Sequence, residues 1–267
     1  MARPVKSEIG ARTPLAVLVF FLACPASAES PVIPQPVKSG IEFASEEVRA
    51  LQRDDFSNPG MLWVDRGARL WRAPAGPEGK SCASCHGDAA SSMNGIATRY
   101  PRLDPGVARV VDLEGRINLC RTRKQRTDPL GHESNDLLGL TAFVARQSRG
   151  MPVAITLDPQ NRKSYENGRR LYLTRIGQLN LACAHCHDRS WGRRLGAETL
   201  SQGHRNAYPA YRLEWQKPGS LQRRIRACFF GVRAEMPAYD APELLDLALY
   251  VGWRGNGLAI EAPGVRR

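Results

Sequence analysis

Beyond an N-terminal leader, the chain has no run apolar enough to cross a bilayer, so its sequence gives no membrane span. Aromatic residues make up only 7% of it and are not interleaved with its basic charge, so the stacking platforms of a nucleic-acid binder are missing. Acidic residues are in deficit, 26 against 38 Lys and Arg, for a formal net charge of +12. With nucleic acid set aside, small anions and acidic protein partners are the fitting counterparts of that charge. Cysteine is sparse too, but its seven copies are not scattered.

The leader comes first. Arg3, Lys6 and Arg12 precede the apolar run Leu15 to Ala23, and Ala26, Ser27 and Ala28 supply a small-residue cleavage site. That pattern is a secretory signal peptide over 1–28, too short for a span. Cleavage there removes Cys24; a lipoprotein would instead keep Cys24 as an acylated terminus, a context that Phe21 and Pro25 fit poorly. The expected compartment of the exported bacterial product is the periplasm.

Four of the remaining cysteines form two copies of one pattern, Cys82-Ala83-Ser84-Cys85-His86 and Cys183-Ala184-His185-Cys186-His187. C-x-x-C-H is the attachment signal for c-type haem: two thiols one helical turn apart add to the vinyl groups of one porphyrin, and the adjacent imidazole ligates the iron. A zinc knuckle would gather both cysteine pairs on one ion and leave the two following histidines unused. Two covalently bound c-type haems are expected, on Cys82, Cys85 and His86, and on Cys183, Cys186 and His187.

The surroundings repeat as well. Gly67-Ala68-Arg69-Leu70-Trp71 and Gly168-Arg169-Arg170-Leu171-Tyr172 stand at the same distance before their motifs, and each reads as the N-terminal helix of a cytochrome c domain. Asp136 to Val144 and Glu243 to Val251 read as the matching C-terminal helices, apolar at helical spacing with an acidic start. The expected fold is mostly α with little β, as two tandem cytochrome c-type domains with long loops. The order is signal peptide 1–28, N-terminal extension 29–60, first domain 61–151, linker 152–165 and second domain 166–267.

The sixth position on each iron has few claimants. Cys120 and Cys228 each follow a haem motif and precede its last helix, and a thiolate at either would lower the iron's potential. Met236-Pro237 competes for the second haem, with no counterpart at that position in the first half. A Cys120 to Cys228 disulfide is a further alternative. His132 and His204 read as surface or supporting residues, and His185 as pointing to solvent.

With these residues the sequence resembles the dihaem SoxA subunits of the SoxAX cytochromes, L-cysteine S-thiosulfotransferases of bacterial sulfur oxidation. The likeness covers the two haem motifs, the lone cysteine after each, and the approach Gln222-Arg223-Arg224-Ile225-Arg226-Ala227-Cys228. It implies His/Cys ligation of both irons, through His86 with Cys120 and His187 with Cys228. It further implies that Cys228 is the catalytic cysteine, carried as a persulfide, and that Arg224 binds substrate. A SoxX-like monohaem cytochrome c and a SoxYZ-like sulfur carrier protein are the implied partners, with thiosulfate as substrate. Arg223, Arg224, Arg226 and Arg233 can gather positive charge near Cys228 for such a dianion. Two rivals stand beside this expectation: a thiosulfate dehydrogenase that forms tetrathionate, and a non-enzymatic dihaem electron carrier.

Overall fold

The computed structural model describes Met1, Ala2 and residues 33–267; the leader and Cys24 lie outside the described residues. Residues Pro31–Arg267 form one compact unit. Its described helices are α1 (Glu46–Arg53), α2 (Met61–Arg72), α3 (Cys82–His86), α4 (Ala89–Ser92), α5 (Leu113–Cys120), α6 (Asn135–Arg146), α7 (Arg162–Leu173), α8 (Cys183–His187), α9 (Leu221–Gly231) and α10 (Pro242–Arg254). Among the described residues, strand is confined to short hairpins, β1 (Arg102–Asp104) with β2 (Arg109–Val111) and β3 (Arg194–Leu195) with β4 (Glu198–Thr199), and to a three-stranded sheet. In that sheet β5 (Ala210–Arg212) lies between antiparallel β6 (Lys217–Gly219) and parallel β7 (Gly264–Arg266). The protein is thus mostly helical, as the sequence leads one to expect.

Two helix crossings organise the core, α2 on α6 and α7 on α10, and a glycine sets the closeness of each. A Cβ on Gly67 would lie 2.1 Å from the Gly139 carbonyl, and one on Gly168 would lie 2.0 Å from that of Asp246. Only glycine lets these backbones touch. Four residues on in each helix stands the repeated aromatic, Trp71 against Phe143 at 5.8 Å and Tyr172 against Tyr250 at 5.2 Å. Both reach past the haem motif: Trp71 Nε1 donates to Gly87 O at 3.0 Å, and the Tyr172 hydroxyl donates to Asp188 Oδ1 at 2.8 Å. Gly87 and Asp188 are the residues that follow His86 and His187, so each aromatic pins the end of a haem-motif helix to its crossing.

The segment expected to link the halves is itself packed. Val153 and Ile155 are buried, Ala154 N–H donates to Thr98 O, and Val153 N–H donates to Leu258 O. Helix α1 lies against β7, where Gln52 Oε1 accepts from Val265 N–H at 2.9 Å and from Arg266 at 2.6 Å. The region before α2 is therefore tied to the C-terminal end of the chain.

Candidate functional site

Each haem-motif helix is launched by a tight turn closed by a single antiparallel bridge, Ala75 with Lys80 and Ile176 with Leu181. Gly76 and Gly177 in these turns have φ of 69° and 67°; a Cβ on them would stand 1.7 Å from Gln125 O and 2.1 Å from Val232 O. Both turns are therefore pressed onto the backbone just past Cys120 and Cys228. Hydrogen bonds fasten them, from Gln125 Nε2 to Lys80 O at 2.7 Å and from the Gln178 and Leu179 N–H groups to Arg233 O and Val232 O. Folding alone brings each lone cysteine to its own motif.

Both lone cysteines lie on helices. Cys120 ends α5, whose N-cap Asp112 accepts from Gly115 N–H, and Cys228 lies late in α9, whose N-cap Ser220 accepts from Arg223 N–H. The two helices start at one polar junction, where the fully buried Gln222 donates to Asp112 Oδ2 at 2.7 Å and to Asp240 Oδ1 at 2.9 Å. Both exits end on a left-handed residue, Arg126 and Arg233, each at φ 56°. The first half has one residue more between its cysteine and that exit, and a π-helical turn at Arg121–Gln125 absorbs it.

The thiols feel one another. Burial, then the charge of Cys120, pushes Cys82 up; burial, then the charge of Cys228, pushes Cys183 up to about 12 and raises Cys186. Thiols that resist ionisation suit a thioether, which carries no charge where it is buried. All six described cysteines are free, so Cys120 and Cys228 are not joined in a disulfide. Burial holds His187 below its ordinary range, hence neutral, and its Nδ1 is committed to Ser201 O at 2.7 Å, which leaves Nε2 for a metal. A Cβ on Gly203 would collide with the same ring at 2.8 Å, so the 201–203 segment also fixes its plane. Two thiols for attachment, one oriented imidazole and one further thiol whose charge they feel fit a covalently held haem. In the first motif Cys85 and His86 are exposed, and the His86 ring lies 5.7 Å from that of Trp71.

Arg224 stands one helical turn before Cys228 on α9 and feels its charge. Burial lowers its pKa, but the charges of Cys228, Tyr208, Glu198 and Glu214 outweigh that and raise it. Its Nη2 is 4.0 Å from Glu198 Oε2. The other arginines of the approach are engaged elsewhere, which corrects the expectation of a pooled cluster. Arg223 lies 4.1 Å above the Trp215 ring and 3.6 Å from Glu133, while Arg226 lies 4.4 Å above Tyr239 and bonds to Pro237 O. Three-residue spacing along α9 sends these two to one side.

Histidine placement needs a second correction. His185 does not point to solvent: its Nδ1 accepts from Ala182 N–H at 3.0 Å, satisfying a free donor at the start of α8, and its Nε2 is buried. His204 is buried against Gln202 and pushed down to about 3, first by burial and then by the charge of Arg254. Met236 is exposed at 44%, whereas Cys228 belongs to the thiol group. Sequence reasoning missed Ser201, Glu198 and the buried Arg212. No local pattern marks them, since each acts through a partner distant in the chain.

Comparison with known proteins is consistent across sequence and structure. Residues 66–153 match the family model described as SoxA/TsdA, cytochrome c domain. A protein of Pseudaminobacter salicylatoxidans named L-cysteine S-thiosulfotransferase subunit SoxA is 43% identical, over 86% of this chain and 80% of its own length. A subunit of the same name from Rhodovulum sulfidophilum is 38% identical over the same shares. The crystal structure of SoxXA from P. pantotrophus superposes with a TM-score of 0.83 at 37% identity, covering 86% of this chain and 87% of that one.

Proposed function

Since this chain belongs to the SoxA family of L-cysteine S-thiosulfotransferase subunits, we propose that it joins thiosulfate oxidatively to a cysteine thiol of a SoxYZ-like carrier protein. Its cytochrome c domain is of the kind that holds covalently bound haem. We assign two such haems, on Cys82, Cys85 and His86 with Cys120, and on Cys183, Cys186 and His187 with Cys228. The boundaries 61–151 and 166–267 are our division into two haem domains, with 29–60 as extension and 152–165 as linker, and the leader assigns the product to the periplasm. The observation that carries the reading is the turn before the second motif pressed onto the backbone just past Cys228, with Arg224 one helical turn before that cysteine on α9.

The chain's own residues have separable tasks. Arg224 holds the sulfonate end of the thiosulfate dianion by charge-assisted hydrogen bonds. Cys228 presents the reactive sulfur, as thiol or persulfide. When bound, the haem supplies a one-electron acceptor beside that sulfur. In the net reaction a sulfur–sulfur bond forms between the carrier cysteine and the outer sulfur of thiosulfate, the thiol proton is released, and two electrons leave one at a time through a SoxX-like monohaem cytochrome c. The terminal sulfonate of the conjugate keeps one negative charge.

Turnover by the protein with its cytochrome partner is expected to require a carrier thiol and to yield no tetrathionate. Product analysis with and without the carrier checks this; tetrathionate formed in its absence would mean a thiosulfate dehydrogenase instead. The ligation of the first haem has its own test. Cys120→Met should raise that haem's midpoint potential with both haems still attached, read by redox titration and intact mass, because a thioether donates less to ferric iron than a thiolate does. An unchanged potential would remove Cys120 from the iron.

A further inference from the structure

We propose that Glu198 sets how tightly the Arg224 site holds its dianion, as a competing carboxylate built into the fold; the inference rests on the reading of Arg224 just given. Glu198 stands on β4, and its Oε1 accepts from Arg212 Nη2 at 2.9 Å. Arg212 is itself buried, 4% exposed, and is held in turn by Glu214 at 2.9 Å and by the Trp215 ring at 5.0 Å. One oxygen of Glu198 is thus anchored, and the other faces Arg224 at 4.0 Å. That distance is an ion pair but lies beyond hydrogen-bond reach, so Glu198 offsets part of the guanidinium's charge and leaves its donors free. Two residues past β4, Ser201 O fixes the His187 ring, so one short segment serves both the histidine of the second haem motif and the anion side.

An arriving dianion meets an Arg224 with all its donors but a reduced attraction. After conjugation the bound anion carries one charge instead of two, because its outer sulfur is now bonded to the carrier, and its hold on Arg224 weakens while the field of Glu198 stays constant. A fixed carboxylate at this place therefore keeps anion binding loose enough for exchange.

Glu198→Gln removes the charge and keeps an acceptor for Arg212. In the haem-loaded complex with its cytochrome partner, it should lower KM for thiosulfate roughly three- to tenfold, with kcat within about twofold. The inhibition constant of sulfate, a dianion that does not react, should fall in parallel, and the difference from wild type should narrow at high salt. Glu198→Ser should shift KM in the same direction and Glu198→Asp should stay near wild type, which keeps the test valid if one variant folds poorly. A brace with a merely structural role gives the opposite sign, a raised KM from a loosened Arg224. An unchanged or raised KM in the neutral variants overturns the proposal. The Arg224→Ala background separates the two levels: if that variant loses thiosulfate affinity while Glu198→Gln changes nothing, only the role of Glu198 fails; if Arg224→Ala itself has no effect, the site reading fails.

Discussion

Replacing Cys228 by alanine is expected to abolish conjugation of thiosulfate to the carrier thiol, a loss of at least about a hundredfold in kcat/KM. The substitution takes away the sulfur itself, which no neighbour can supply. Cys183 and Cys186 are the nearby thiols that sense its charge, and both belong to the haem-attachment motif. Haem content should persist, because the attachment we propose rests on those two cysteines, and intact mass checks it. Low-spin EPR signals of thiolate ligation at the second iron should vanish in the variant while those of the first remain. Met236, exposed at 44%, gives no reason to expect rescue. Near wild-type turnover would make Cys228 a bystander and turn the chain into a non-enzymatic electron carrier.

The parts of this protein that were legible in its sequence are those written in local chemistry. The C-x-x-C-H pattern marks a cytochrome c domain, and the aromatics Trp71 and Tyr172, at equal distances before the two motifs, mark the helices that pack across α6 and α10. Glycine explains why the same helices recur: Gly67 and Gly168 are needed where backbones touch. What was not legible arises from pairings between distant segments. Nothing around Glu198 foretells that Arg212 will hold it or that Arg224 will face it. The arginine-rich approach shows the same limit from the other side. Similar residues in sequence are sorted only by what lies opposite, Trp215 and Glu133 for Arg223 and Tyr239 for Arg226.

That sorting gives the second large effect its sharpness. Arg224→Ala should lower thiosulfate turnover by about tenfold or more, since removing a charge-assisted hydrogen bond from a partly desolvated site costs on the order of 1.5–3 kcal/mol. The loss should fall mainly on KM if Arg224 grips the sulfonate equally before and during reaction, and on kcat if the grip tightens as the sulfur–sulfur bond forms. Arg224→Lys should recover only part of the activity, because a single ammonium keeps the charge but not the planar fork of donors. Arg223→Ala and Arg226→Ala serve as neighbours of equal charge: both should disturb their aromatic partners and leave thiosulfate KM within about twofold, because long-range attraction from half-screened charges is weak. Arg121→Ala, beside Cys120, should change little, since its Nε is turned to Asp128 O in the other half. If all these substitutions lowered turnover alike, substrate would be held by the general positive field of the protein rather than by one guanidinium beside Cys228. A loss confined to Arg224 would instead tie binding to the arginine whose pKa the charge of Cys228 raises.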